Sequence, residues 1–472
     1  MQVAGATLEA PLEFDLPDRR ERRRQRESSA RSYSRRLPIR LASGLGALVW
    51  DDGGREYIDC LAGAGALALG HHHPVVVAAI QRTLADGTPM STLDLPTPER
   101  DRFVEQLFAV LPRALRDDGR ILFCGPTGAD AVEAAVKLAR TETGRTGILA
   151  FGGGYHGMTQ GTLALTGRRA AKEPLGALLP EVHHLPFPTA FRSPFGPSDS
   201  AELAGRMVEW ALADDLSGIA APAAAIVEPV QGEGGVHPMP PAFAGALRRA
   251  TRSAGSVLIA DEVQTGLGRT GALWASEPLG LDPDILVLSK AIGGGLPLAV
   301  VVHRGELDGW QPGAHAGTFR GSTLALATGT ATIREVVSAG LDDHAAEVGA
   351  QLSDGIAVAT ADDPRVGDVR GVGLMVGVEL VDPDVVDADG VPAPNGRLAA
   401  RVQQAMLGQG VIVEVGGSHD AVVRFLPPLI ITAAQVERVV DAVSAALRSE
   451  SAGVDCPAGG LGGGSDSLAE AR

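Results

Sequence analysis

Cysteine is scarce in this chain, aromatic residues are few, and no long apolar run occurs. The three cysteines (Cys60, Cys124, Cys456) lie far apart in 472 residues. Without a CxxC pair, neither a disulfide framework nor a zinc ribbon is expected, and a reducing, cytoplasmic setting fits. Aromatics are 4% of the residues, so Ala, Val, Leu and Ile must build the core. Nothing approaches the roughly 20 apolar residues of a membrane span. Met1–Asp18 lacks the basic start and apolar centre of a secretory signal. Positive charge is in deficit too. The formal net charge is −16, which disfavours nucleic acid and anionic membranes as partners. The one basic run, Arg19–Arg26, reads as a solvated part of a loose arm over residues 1–27.

What the chain has is organised around residues 258–297. Two short apolar runs, Val257–Ala260 and Ile285–Leu288, are bounded by turn residues, as buried parallel strands are. Asp261 ends the first, and Lys290 closely follows the second. Ligands of open parallel sheets bind beyond the carboxyl ends of the strands. An acid and an amine are thus delivered to one crevice. The simplest reading of such a pair is an ion pair. A second reading is chemical: a buried lysine forms Schiff bases with aldehydes, and pyridoxal phosphate is held that way, with an acid on its ring nitrogen.

The rest of the chain supplies what such a cofactor needs. Ile121–Cys124, the turn Gly125–Gly128 and the helical spacing of Val132, Ala135, Val136 and Ala139 make a strand–turn–helix unit. Free N–H groups at that helix start suit a phosphate. Ile148–Phe151 runs into GGGYHGMT, where Tyr155 and His156 offer a flat ring for stacking. Ala223–Val227 leads to Glu228 and the loop carrying Glu233. Ala47–Trp50 and Glu56–Cys60 flank the turn DDGG as a hairpin, and Ala62–Gly70 reads as a loop lining a cavity. His71, His72 and His73 are consecutive and cannot easily converge on one metal ion, so no metal site is expected. Residues 168–222 read as loop-rich, ending in a helix at Ala201–Leu216. A helix at Gly396–Gln409 and a final one at Ala433–Leu447 follow, then a Gly/Ser-rich tail from 449.

DEVQTGLGRTG at 261–271, LSKAIGGGLP at 288–297 and VEPVQGEGG at 227–235 together resemble the class III, or ω-amino, aminotransferases. The likeness covers roughly Ser28 to Ala446. It implies fold type I: a large α/β domain with a mostly parallel sheet (86–329) and a smaller α+β domain from 28–85 and 330–448. Within the family the chain is most similar to the diaminobutyrate–2-oxoglutarate branch, through ESSARSY at 27–33, LDLPTPERD at 93–101 and GTFRGSTLA at 317–325.

That resemblance implies an imine link at Lys290, Asp261 on the ring nitrogen, Gln264 on the ring hydroxyl, and Val263 and Tyr155 on the two ring faces. Thr127, Gly128 and Ala129 would bind the phosphate. Thr318 would reach it from a neighbouring subunit of a homodimer with shared sites. Glu228 would support the site. Glu233 and Arg424 would be a switchable pair, opening when Arg424 takes the α-carboxylate of glutamate. The implied substrates are L-glutamate and L-aspartate 4-semialdehyde, exchanged for 2-oxoglutarate and L-2,4-diaminobutyrate. Met158 stands where many class III enzymes carry a substrate-binding arginine, which argues against the usual acetylornithine, ornithine and 4-aminobutyrate types; Arg31 is the expected substitute. Ala129 replaces the usual Ser or Thr. An aminomutase or racemase of the same fold would share the lysine and the acid.

Overall fold

The computed structural model describes residues 26–451 apart from 177, 197 and 198. The arm before Arg26 and the tail beyond Ser451, with Cys456, lie outside the described residues. Among the described residues, those up to Arg40 and those from Leu41 form two compact units, a break inside the segment 28–85. In the first, Tyr33–Arg36 makes a helical turn, and Arg31 pairs with Glu27 at 2.6 Å.

In the second unit the main element is a seven-stranded sheet. Its strands are β1 (Gly119–Phe123), β2 (Ile148–Phe151), β3 (Val182–Leu185), β4 (Ala224–Val227), β5 (Val257–Asp261), β6 (Ile285–Leu288) and β7 (Val300–Arg304). They lie in the order β1-β7-β6-β5-β4-β2-β3. Strands β2 to β6 are parallel, and β7 alone runs against both its neighbours. Every residue of β2, β4, β5 and β6 is buried. Alternate side chains divide between two apolar clusters: Leu258 and Ala260 in one, Val257 and Ile259 in the other. Burial on both faces is why these strands read as unbroken apolar runs.

Two features differ from expectation. Residues 168–222 contain β3, whose VHHL sequence lacks such a run, and their helix stops at Ala213. The last helix continues through Ser451, past the expected start of the tail. The hairpin is present as Leu48–Asp51 and Glu56–Asp59, and the latter pairs with Val411–Ile412 in parallel. Asp51 closes the turn, accepting from the N–H of Gly53 and of Arg55 at 2.9 Å. His71 hydrogen-bonds Asp59 at 2.8 Å.

A further sheet brings Val366–Val372, Met375–Val386, Val422–Phe425 and Glu414–Gly416 side by side. Two helices bear directly on the site. Helix α1 (Gly128–Thr143) follows β1 and is capped by Thr127. Helix α2 (Thr323–Ser338) lies against the turn Lys290–Gly293. There the Thr328 hydroxyl donates to the Gly293 carbonyl at 2.7 Å. Gly329 makes the approach possible, since a Cβ on it would come 2.2 Å from the Ile292 carbonyl oxygen and 2.9 Å from Phe103. Gly329→Ala should therefore force α2 off the lysine turn and cost about 1–3 kcal/mol. Thermal melts of the two proteins should show a lower Tm for the variant; an unchanged Tm would show that the contact yields freely.

Candidate functional site

Several of the side chains expected to act come from neighbouring strand ends. Asp261 is the last residue of β5, Glu228 follows β4, and Lys290 lies two residues past β6. The glycine-rich loop with Tyr155 and His156 leaves β2, and the cap Thr127 leaves β1. Lys290 itself has φ 51°, a left-handed conformation rare for a long side chain.

The lysine amine is not an ion-pair partner. Among the described residues it has no hydrogen bond or salt bridge, which removes the simplest reading of the Asp–Lys pair. Burial holds its pKa below the ordinary lysine value. Glu233, Asp261 and Glu228 push it up and Arg424 pushes it down, so all four charges act on one amine. Burial that disfavours the ammonium is what makes a lysine a usable base or nucleophile.

Asp261 is held from two sides. Its Oδ2 lies 2.8 Å from His156 Nδ1, and its Oδ1 accepts the Val263 N–H at 3.1 Å. His156 is turned inward and is only 3% exposed; its own N–H donates to the Thr166 hydroxyl at 3.0 Å. Of the two expected stacking rings, then, Tyr155 is the exposed one and His156 braces the acid. Glu228 joins two loops: Oε1 accepts the Tyr155 N–H at 2.8 Å and Oε2 the Gly232 N–H at 3.0 Å.

Gln264 donates through Nε2 to the Ala64 carbonyl at 3.2 Å, while its buried Oε1 has no partner among the described residues. Gly128 sits against Val263, leaving 2.9 Å between the Val263 methyl and any Cβ built there. Thr127 Oγ1 accepts the Asp130 N–H at 3.3 Å, which leaves its hydroxyl proton free to donate outward. The first N–H groups of α1, at Gly128 and Ala129, have no carbonyl a turn earlier within the helix. Ala129 is crowded by Gly157, where a Cβ would come 2.6 Å from its own. Cys124, Asp130 and His315 also converge within 4.8 Å, but Asp130 is already taken by the Arg320 guanidinium. Thr318 is exposed, on a stretch tied to α1 by Lys137 and by the 3.1 Å His315–Asp130 contact.

Arg424 is fully buried and has two carboxylate partners. Its Nη1 meets Glu233 at 2.9 Å, and its Nη2 meets Glu414 at 3.0 Å. Burial raises the Glu233 carboxyl, but Arg424 outweighs it and holds the group below its ordinary value. The backbone around Glu233 is fixed. Gly417 N–H donates to the Glu233 carbonyl at 3.0 Å, and Arg370 Nε holds the Gly235 carbonyl at 2.9 Å. Sequence reading missed Glu414. Its only signal there is an acid inside the apolar run VIVEV, ten residues before Arg424.

The family model for class III aminotransferases matches residues 29–447. The chain belongs to that family. It is 51% identical over 450 residues to the diaminobutyrate–2-oxoglutarate aminotransferase of Rhizobium meliloti (strain 1021), covering 95% of each chain. It is 45% identical over 417 residues to the protein of that name from Haemophilus influenzae, covering 88% of this chain and 91% of the other. An amine transaminase of an uncultivated Pseudomonas species, solved in its PLP-bound form, superposes with a TM-score of 0.79 at 28% identity, covering 94% of this chain and 99% of that one.

One group at the site should be visible in the pH dependence of stability. Burial pushes the Glu228 carboxyl from 4.5 to about 7, with Asp261 adding to the rise and His156 opposing it. The folded chain therefore keeps a proton that the unfolded chain has lost. That contribution to stability is full below pH 4.5 and disappears as pH rises through about 7. Glu228→Gln removes the group, so Tm across this window should fall less with rising pH than in the wild type. Parallel Tm–pH curves would mean that the carboxyl titrates normally.

Proposed function

We propose that the enzyme moves an amino group between L-glutamate and L-aspartate 4-semialdehyde, giving 2-oxoglutarate and L-2,4-diaminobutyrate. The observation that carries this reading is the unpaired Lys290 amine, two residues past a strand end, which feels the charges of Glu233, Arg424, Asp261 and Glu228. The two relatives' names supply diaminobutyrate and 2-oxoglutarate; glutamate and the semialdehyde are what those two become when the amino group is exchanged.

The residues fit pyridoxal phosphate. The orphaned Gln264 Oε1 is an acceptor for a ring hydroxyl. Asp261 offers a braced carboxylate for a ring N–H. Val263 and Tyr155 would cover the faces, and Thr127 with the first N–H groups of α1 would hold the phosphate. Bound there, the cofactor supplies an aldehyde for amines to condense with and a ring that draws electrons from the substrate Cα–H bond.

The chain's own residues then do four things. Lys290 Nζ, its charged form disfavoured by burial, takes the proton from the substrate Cα. Asp261 orients the ring and favours its protonated nitrogen. Tyr155 shields one face from water. Arg424 takes the α-carboxylate of glutamate after Glu233 swings aside, and Glu233 neutralises Arg424 when the ω-aldehyde end occupies the pocket.

A homodimer is proposed as well. Thr318 is exposed, and so are its neighbour Phe319, at 64%, and the apolar residues Met90, Leu93 and Leu95. The two segments adjoin, since the Thr323 hydroxyl donates to the Pro89 carbonyl at 2.6 Å. A second copy covering this surface would bring Thr318 towards the other subunit's phosphate. The cytoplasm is the proposed setting, in keeping with the free, buried thiols of Cys60 and Cys124.

Incubation with glutamate and a panel of ω-aldehydes, with products identified by mass, tests the reaction. L-2,4-Diaminobutyrate should dominate; turnover without 2-oxoglutarate or another amino acceptor would point instead to an aminomutase or racemase. Lys290→Ala should abolish both turnover and the visible absorbance of the lysine-bound cofactor. Retained turnover would remove Lys290 from its role. Glu233→Ala should shift the kcat/KM ratio towards glutamate and away from the diamine by about tenfold. An unchanged ratio would count against a switch.

A further inference from the structure

Arg424 is held asymmetrically. Its two terminal nitrogens go to different acids, and those acids differ in access: the Glu233 side chain is 30% exposed and that of Glu414 is 8%. They also differ in their backbone setting. Glu414 and Arg424 face each other as registered partners on adjacent antiparallel strands. Glu233 stands in a glycine-flanked loop whose carbonyls are tied to Gly417 and Arg370. Its backbone is fixed, and only its side chain is left to move.

We propose that Glu414 is the positioning residue of the carboxylate clamp. It fixes one edge of the Arg424 guanidinium while the other edge is exchanged between Glu233 and the substrate carboxylate. This rests on the reading of Glu233 and Arg424 as a switch. An arginine held by one carboxylate alone would be released when that carboxylate left, and its three or four soft torsions would have to be ordered again by the substrate. A second, buried carboxylate keeps the planar fork aimed throughout.

The electrostatics favour position over charge as the contribution of Glu414. Glu233 leaves as the substrate carboxylate arrives, so one anion replaces another on Nη1. The field of Glu414 acts on both states alike and drops out of the balance. What remains is the hydrogen bond to Nη2, at 3.0 Å, and the geometry it imposes. Glutamine preserves that reach and one acceptor oxygen. Aspartate preserves the charge but falls short by about 1.5 Å, beyond hydrogen-bond range.

The experiment measures Kd for glutarate, an unreactive dicarboxylate, by calorimetry on the cofactor-loaded enzyme, beside KM for the diamine. Glu414→Asp and Glu414→Ala should weaken glutarate about tenfold. Glu414→Gln should restore affinity to within about threefold of the wild type, and KM for the diamine should move less than twofold throughout. Should Glu414→Ala fail to fold, the Asp and Gln pair decides alone. Gln weakening glutarate as much as Asp, Asp binding it as wild type does, or a diamine KM that moves in step would overturn the proposal. Arg424→Lys separates this failure from failure of the switch. If it weakens glutarate while the Glu414 variants do not, only the anchoring is wrong; if it does not, Arg424 is not the clamp.

Discussion

The site depends on disfavouring the charge of one amine in a crevice lined with acids. Burial disfavours the ammonium of Lys290, and Arg424 acts in the same direction. Three carboxylates, Glu233, Asp261 and Glu228, oppose them. Remove the arginine, and burial alone would oppose the acids that push the Lys290 pKa up. Remove Glu233, and Arg424 would lose one of its two carboxylate partners in a dry interior. The charges are mutually conditional: the parallel strands bring Glu228, Asp261 and Lys290 to one end of the large sheet, and the strand Val422–Phe425 of another sheet carries Arg424.

Much of the surrounding structure serves to stop those charges from collapsing onto one another. Asp261 is bound by His156 and by the Val263 N–H, so it does not fold over to the lysine. Glu228 spends both oxygens on backbone N–H groups of two different loops. Arg424 is spread between two acids on its own side of the crevice. The amine is thus left without a partner although acids surround it. In the proposed reaction, an amine left without a protein partner is the one that can react.

The legible part of the fold was the part with both faces covered. Strands such as VLIAD and ILVL are continuous apolar runs because helices pack on either side, and the acid or lysine that ends the run is conspicuous. Strand β3 was illegible because it lies at the edge of the sheet, with two histidines among its four residues. The helix Pro241–Ala254 was passed over although Phe243, Ala244, Leu247 and Ala250 recur at helical spacing. At the site, residues that follow a strand could be found one by one. Partnerships could not. His156 and Asp261 are 105 positions apart, and nothing in either segment announces the other. Glu414 acquires meaning only through the strand register that sets it opposite Arg424.

The backbone at Lys290 has a consequence of its own. A residue with a β-carbon held at φ 51° bears about 1 kcal/mol of local strain that glycine would not. The fold tolerates this because α2 and the turn after the lysine pin the segment in place. Glycine at 290 would relieve that strain and the burial of an amine together. On the role proposed for Lys290, the most robust version of this polypeptide would be one with no chemistry left, so that selection for durability and selection for turnover pull this single position in opposite directions.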